Sequence, residues 1–297
     1  MPSGIPARLS EHRPLLPAGA RYNDSFGGKG LSWRYLAVAS EAVLRAGRLQ
    51  RERYASGVAV EYKGEIDLVT EVDRACELSI LETIRGRYPD HDIVTEETDL
   101  GHTGSRFVWF IDPLDGTVNF AHSYPFFCAS VALAQDGEIV AGAVYDPLRD
   151  ELFSAERGSG AHVNGRPLRV SKAESLIESL LITGFPYDLH QKLDERLRLF
   201  YRVMGKARAV RRDGSAALDL CYVAAGRADG FWEEVLKPWD MHAGRLVLSE
   251  AGGRSTRLDG STLGLGPDGI VATNGLIHEA LVAALREELK PALTSTL

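Results

Sequence analysis

The stretch Asp112-Pro113-Leu114-Asp115-Gly116-Thr117 constrains this chain more than any other. An apolar run, Phe107-Val108-Trp109-Phe110-Ile111, precedes it and has the make-up of a buried strand. Asp112 falls where that strand ends. Pro113 has no N–H to give a ladder and is expected to stop the pairing there. Gly116 permits a sharp bend, after which Thr117 to Phe120 open a short helix or turn. Two carboxylates at the mouth of a strand, followed by free backbone N–H groups, suit a cation and a phosphate together. Asp-Pro and Asp-Gly are also ordinary turn dipeptides, so by itself the stretch fits a plain turn. Its partners elsewhere in the chain decide between the two.

A chain of 297 residues can bury a large core, as one big domain or as two lobes. The net charge of −7 argues against a general nucleic-acid binder. It leaves a phosphorylated substrate open, because bound cations invert the local field. Cys76, Cys128 and Cys221 lie far apart among apolar neighbours, which predicts buried free thiols and a reducing cytoplasm. No apolar run is long enough to span a bilayer, and no signal-peptide h-region opens the chain, so no membrane association is expected.

Residues 1–30 are rich in Pro, Gly, Ser and Arg, lack periodicity, and are expected to be a disordered extension. Helical spacing runs from Tyr35 to about Tyr54, and a short strand is expected at Val58-Ala59-Val60. Lys63-Gly64-Glu65 is expected to be a mobile tip. Thr70 or Asp73 is placed to cap a helix from about Arg74 to Tyr88. Ile93-Val94 ends at Thr95-Glu96-Glu97-Thr98, where a ligand-bearing carboxylate would lie. Turn pairs at Asp136-Gly137 and Asn164-Gly165 link strands into an antiparallel sheet. From about residue 177 strands and helices alternate, which predicts an α/β second lobe. Gly252-Gly253 ends the helix that follows Pro238-Trp239-Asp240, and a last helix covers His278 to Leu289.

Five acids stand at element ends: Asp73, Glu96, Asp112, Asp115 and Asp240. Asp240 occupies what reads as an N-cap, where a carboxylate is favourable in any case. There is no nucleophile elbow, no P-loop and no Cys/His zinc spacing. His242, close to Asp240, is expected to be packed or to support a ligand, since hard-cation sites rarely use imidazole. Carboxylates without a nucleophile or zinc ligands point to Mg²⁺-assisted attack of water on phosphate.

Four motifs in order carry a resemblance: Asp67-Leu68-Val69-Thr70-x-x-Asp73, Glu96-Glu97, Asp112-Pro113-Leu114-Asp115-Gly116-Thr117, and Trp239-Asp240 with Glu250-Ala251-Gly252-Gly253. Over roughly residues 31–290 the chain resembles the inositol monophosphatase family of Mg²⁺-dependent, lithium-sensitive phosphatases. The resemblance implies a layered α-β-α-β-α fold shared with fructose-1,6-bisphosphatase, with lobes of about 31–170 and 171–290, a tail at 291–297, and a homodimer. It implies two or three Mg²⁺ ions held by Glu96, Asp112, the Leu114 carbonyl, Asp115 and Asp240. Thr117, supported by Asp73, would position the attacking water together with Glu96. The Gly116 and Thr117 amides would hold the phosphate, and Lys63 would be a loop lysine near a third, weaker metal. Gly214, Ser215, Ala216 and Glu233, with Asp240, would contact the substrate alcohol.

Gly184-Phe185-Pro186-Tyr187 and Arg211-Arg212-Asp213 depart from the animal enzymes beside the sugar. The expected reaction is therefore hydrolysis of a small phosphomonoester, most simply inositol monophosphate. Histidinol phosphate, fructose 1,6-bisphosphate and 3′-phosphoadenosine nucleotides stand as alternatives. A different class is a regulatory binding protein of the transcription antitermination type, which some bacterial relatives of this family are.

Overall fold

The computed structural model describes residues 32–54, 60–62, 68–186 and 192–286. The expected N-terminal extension, Lys63 with its tip, Tyr187, the end of the last helix and the 291–297 tail lie outside these residues. In chain order the elements are α1 (Ser32–Tyr54), β1 (Val60–Tyr62), β2 (Leu68–Thr70), α2 (Glu71–Arg85), β3 (Asp92–Thr95), β4 (Phe107–Asp115), α3 (Thr117–Ala121), β5 (Cys128–Gln135), β6 (Glu138–Asp146), β7 (Glu151–Glu156), β8 (Gly160–Val163) and β9 (Arg166–Pro167). There follow β10 (Leu180–Thr183), α4 (Leu193–Met204), β11 (Ala209–Arg211), α5 (Ala216–Ala224), β12 (Gly230–Leu236), α6 (Pro238–Glu250), β13 (Arg254–Thr256), β14 (Asp268–Thr273) and α7 (His278–Arg286).

Strands β3 to β9 form a seven-stranded sheet in sequence order. Only β3 and β4 in it run parallel; the others are joined antiparallel. The second sheet has five strands in the order β11-β10-β12-β14-β13, with β10 parallel to both its neighbours. Side-chain alternation along β4 and β5 sorts the layers. Trp109, Ile111, Val131 and Leu133 pack in one cluster with the small-residue stripe Ala39, Ala42, Val43 and Ala46 of α1 and with Ile80 and Ile84 of α2. Phe110 and Ala132, on the opposite face, join α5 and α6 and the inner face of the second sheet, including Phe231 and Ile270. The outer face of that sheet, through Leu181, Trp232 and Val271, packs against Val203 of α4 and Leu281 and Leu285 of α7. The order is thus helix, sheet, helix, sheet, helix, as the resemblance implies.

Three local expectations are corrected. Pairing does not stop at Pro113. Strand β4 runs on to Asp115, and its ladder with β5 jumps from Asp112↔Ser130 to Asp115↔Cys128. Pro113 sits in the resulting bulge, where no ladder N–H is needed. Helix α2 starts at Glu71, so of the two cap candidates Thr70 stands at the cap position and Asp73 lies inside the first turn. Asp240 is likewise the third residue of α6, which Pro238 opens. The strand expected around Val58 is described only as Val60–Tyr62. Short strands β2 and β13 carry too few residues for periodicity to show them.

The middle helical layer is squeezed from both sides. Gly142 of β6 lets the α6 backbone approach so closely that a Cβ there would stand 3.1 Å from Ala243 Cα. A Cβ on Gly244 would stand 2.6 Å from Leu220 Cβ, where α6 crosses α5. Propensity alone favours Ala over Gly in a helix by about 1 kcal/mol. Overpacking costs about 1–3 kcal/mol, and here the obstructing atom is next to the backbone and cannot swing away. Packing should win: Gly244→Ala is expected to lower the melting temperature by several degrees, measured by calorimetry. A rise would show that α5 and α6 are free to separate.

Candidate active site

The bulge at the end of β4 is held from below by α1. Gln50, fully buried, donates its amide to the Pro113 carbonyl at 2.8 Å and to the Cys128 carbonyl at 3.1 Å, one on each strand flanking the bulge. Asp112 is 2 % exposed, and the Leu114 N–H donates to its Oδ1 at 3.0 Å. The bulge therefore turns Asp112 and Asp115 away from a regular strand alternation and presents both at the same end of the sheet.

Asp115 ties this end to the second half of the chain. Its Oδ2 accepts the Ser215 hydroxyl at 2.6 Å and the Ala217 N–H at 2.8 Å, so it caps the N-terminus of α5. Gly116 has φ 93°, and a Cβ there would meet Phe126 O at 3.0 Å and Gly214 O at 3.3 Å. Gly214, with φ 86°, faces it across this gap. Asn119 of α3 closes the arrangement by donating to Phe126 O and Asp213 O, both at 2.8 Å. The Thr117 hydroxyl lies 2.9 Å from Leu114 O and 3.1 Å from Asp73 Oδ1; with one proton it serves one acceptor at a time. Asp73 is buried at the start of α2.

The remaining acids come from three other elements. Asp240 curls back on the start of α6 and accepts the Lys237 N–H at 2.7 Å. Glu96 follows β3 and is partly buried. Glu233 lies on β12 with its carboxylate pressed on Gly184, where a Cβ would come within 2.0 Å of Oε2. His242 is buried edge-on against Phe110 with Nε2 3.1 Å from Leu265 O, a packed histidine whose pKa burial lowers to about 4.

Electrostatics groups these acids into one neighbourhood. Burial pushes the Asp112 carboxyl well up, and Glu96, Asp115 and Asp240 push it further. Asp240 is raised by burial and then by Asp115, with Glu96 and Glu233 adding; the Lys237 N–H works against them. Burial raises Asp115 to about 6, against the pull of the Ser215 hydroxyl and the α5 amides. Glu233 is raised to about 8 by burial and by Asp115, partly offset by the Arg212 guanidinium. Asp219 of α5 belongs to the same set: it is buried, its Oδ1 has no hydrogen-bond partner, and burial, Asp213, Asp115 and Glu233 all raise it. Among the described residues no three His, Cys, Asp or Glu side chains converge tightly enough to clasp an ion as they stand. The donor set nevertheless fits a hard divalent cation in kind: all oxygen, acidic, desolvated and mutually repelling.

Of the residues singled out in the sequence, Asp73, Asp112, Leu114, Asp115, Gly116, Thr117, Gly214, Ser215 and Ala216 meet directly around the bulge and the α5 N-terminus. Glu96, Glu233 and Asp240 join them through their charges. Gln50, Glu77 and Asn119 were not singled out. Gln50 continues the buried α1 stripe of Ala42 and Ala46 at the next helical step, and Glu77 stands one turn from Asp73 on a buried face of α2. A polar residue interrupting such a stripe is a signal; Asn119 carries none.

The Inositol monophosphatase family matches residues 33–290. An inositol-1-monophosphatase of Synechocystis is 47% identical over 253 residues, covering 84% of this chain and 88% of that protein. The Nus factor SuhB of Escherichia coli is 44% identical over 261 residues, covering 87% and 98%. The solved inositol monophosphatase of Anabaena superposes with a TM-score of 0.78 at 42% identity, covering 85% of this chain and 95% of that one. With acids grouped electrostatically at the end of β4 and a match along residues 33–290, the chain belongs to the inositol monophosphatase family.

Proposed function

We propose that this protein hydrolyses a small phosphomonoester, most simply inositol monophosphate, with Mg²⁺ as cofactor. The observation that carries the reading is Asp112: a carboxyl almost out of contact with solvent, surrounded by Glu96, Asp115 and Asp240. Such a group is far more favourable beside a divalent cation than among its like-charged neighbours. Glu96, Asp112, the Leu114 carbonyl, Asp115 and Asp240 would hold two or three Mg²⁺ ions, and Lys63 would lie near the weakest. When bound, Mg²⁺ supplies Lewis-acid activation of water and neutralises phosphate charge.

The chain's own groups have separable tasks. The Thr117 hydroxyl, within reach of Asp73, would position the attacking water; as it takes a proton from that water it would hand its own to the Asp73 carboxylate. Glu96 orients that water from the other side. The amides of Gly116 and Thr117, at the start of α3, would receive the phosphate oxygens; Gly116 can present its amide there because its positive φ has no Cβ to obstruct it. Gly214, Ser215, Ala216 and Glu233 would line the alcohol side, with Asp240 between the two parts. By resemblance the enzyme acts as a Li⁺-sensitive homodimer in the cytoplasm. The likeness to a Nus factor supports a second reading, a binding role in transcription antitermination alongside catalysis. No helix among the described residues is long and apolar enough to cross a membrane.

Phosphate release from a panel of inositol, histidinol, sugar and nucleotide phosphomonoesters tests the reaction and ranks the substrates. Asp112→Asn removes one charge and no packed volume, so it is expected to lower turnover by roughly two orders of magnitude or more. Near-normal turnover at saturating Mg²⁺ would refute the assignment. Glu233 is expected to separate substrates. With a bound divalent cation holding Glu233 ionised, a hydrogen bond to its charged acceptor would contribute about 1.5–3 kcal/mol, so Glu233→Gln should cost a polyol phosphate roughly ten- to a hundredfold in kcat/KM. A small aryl phosphate lacks that hydroxyl and should change by less than about threefold. Equal losses on both would make Glu233 part of the catalytic machinery.

A further inference from the structure

Helix α2 does more than deliver Asp73 to Thr117. One turn further on, Glu77 is 3 % exposed and lies beneath the end of β3. Its two oxygens accept one hydroxyl each: Thr95 Oγ1 donates to Oε1 at 2.8 Å and Thr98 Oγ1 donates to Oε2 at 2.8 Å. The residues between those threonines are Glu96 and Glu97. A single buried carboxyl thus holds the threonine side chains on both sides of Glu96 and Glu97, at ordinary O–H···O hydrogen-bond lengths. Both threonine hydroxyls are spent on Glu77. Because Asp73 and Glu77 share one rigid helix, the turn carrying Glu96 and the turn carrying Thr117 are registered against the same rod.

We propose that Glu77 is a positioning residue for the cation site: by clamping Thr95 and Thr98 it holds Glu96 where it can bind the divalent ion. The inference rests on the reading of Glu96 as a metal ligand. Groups that orient ligands without touching the ion typically change metal affinity by about 10–100-fold when removed. Glu77→Met keeps the bulk and loses both hydrogen bonds. Glu77→Gln keeps both, since an amide accepts one threonine hydroxyl through its carbonyl and donates to the other through its NH₂.

The test is the midpoint of a Mg²⁺ binding titration, followed by isothermal calorimetry on the full chain, with Mg²⁺-dependent phosphate release beside it. Glu77→Met should raise that midpoint by about 10–100-fold. Glu77→Gln should stay within about threefold of the unaltered protein, a rescue that loss of mere packing would not show. Thr98→Val, at an exposed position, removes one of the two bonds and should shift the midpoint the same way by a smaller factor. It carries the test alone if Glu77→Met does not fold. Unchanged midpoints in Glu77→Met and Thr98→Val, or a Gln variant as impaired as the Met variant, would overturn the role of Glu77. An unaltered protein that binds no Mg²⁺ would overturn the metal reading itself.

Discussion

The hydrogen bonds from Ser215 and the α5 amides to Asp115 are the contact on which the rest of the site depends. Asp115 ends a strand of the first sheet, whereas α5 packs between the sheets and leads into the second. A helix N-terminus and a carboxylate satisfy each other cheaply. This pairing brings Gly214 against Gly116, and with it the loop before α5 against the loop that opens α3. Asn119 welds the same two loops by a second route. A residue with a Cβ at Gly116 would have to displace the Phe126 carbonyl or the Gly214 carbonyl, and the two halves would part.

The same geometry concentrates acids in one neighbourhood. Asp112, Asp115, Asp240 and Glu233 come from three different elements and are all pushed above the ordinary carboxylate range. A fold selected only for stability would replace such a set with apolar side chains. Keeping it makes sense for a site whose charge is balanced by what it binds. The structural supports are consistent with that: Gln50 under Pro113, Glu77 under Thr95 and Thr98, Gly184 behind Glu233.

Much of this was legible in the residue pattern. The apolar run before Asp112, the turn pairs at Asp136-Gly137 and Asn164-Gly165, and the double glycine after α6 mark their elements because each has a local cause. What the pattern hid was non-local. Pro113 reads as a strand end, yet the ladder resumes at Asp115 because Cys128 on the partner strand is positioned to pair with it. Asp73 reads locally as a helix cap, and only the resemblance pointed to its bond with Thr117, 44 positions away. Asp219 sits among apolar neighbours with nothing in its local sequence to show that its carboxyl lies near Asp115 and Glu233.

The central claim is that the buried acids form a divalent-cation site, and protons are the competing ligand. Without metal, a carboxyl raised to about 8, such as Glu233, keeps its proton in the folded chain while the unfolded chain has lost it. Stability then falls as pH rises through that window. His242 and His278, lowered to about 4 by burial, act in the opposite sense, adding stability as pH rises until the unfolded chain's imidazoles are deprotonated, so a decline between about pH 7 and about pH 8 is the acids' own. The decisive measurement is the melting temperature across that range in EDTA and in Mg²⁺. The prediction is a decline with pH in EDTA and a Mg²⁺-induced rise that grows with pH, as proton release favours the ion. A melting temperature that ignores Mg²⁺, or a Mg²⁺ effect equal at both pH values, would contradict it.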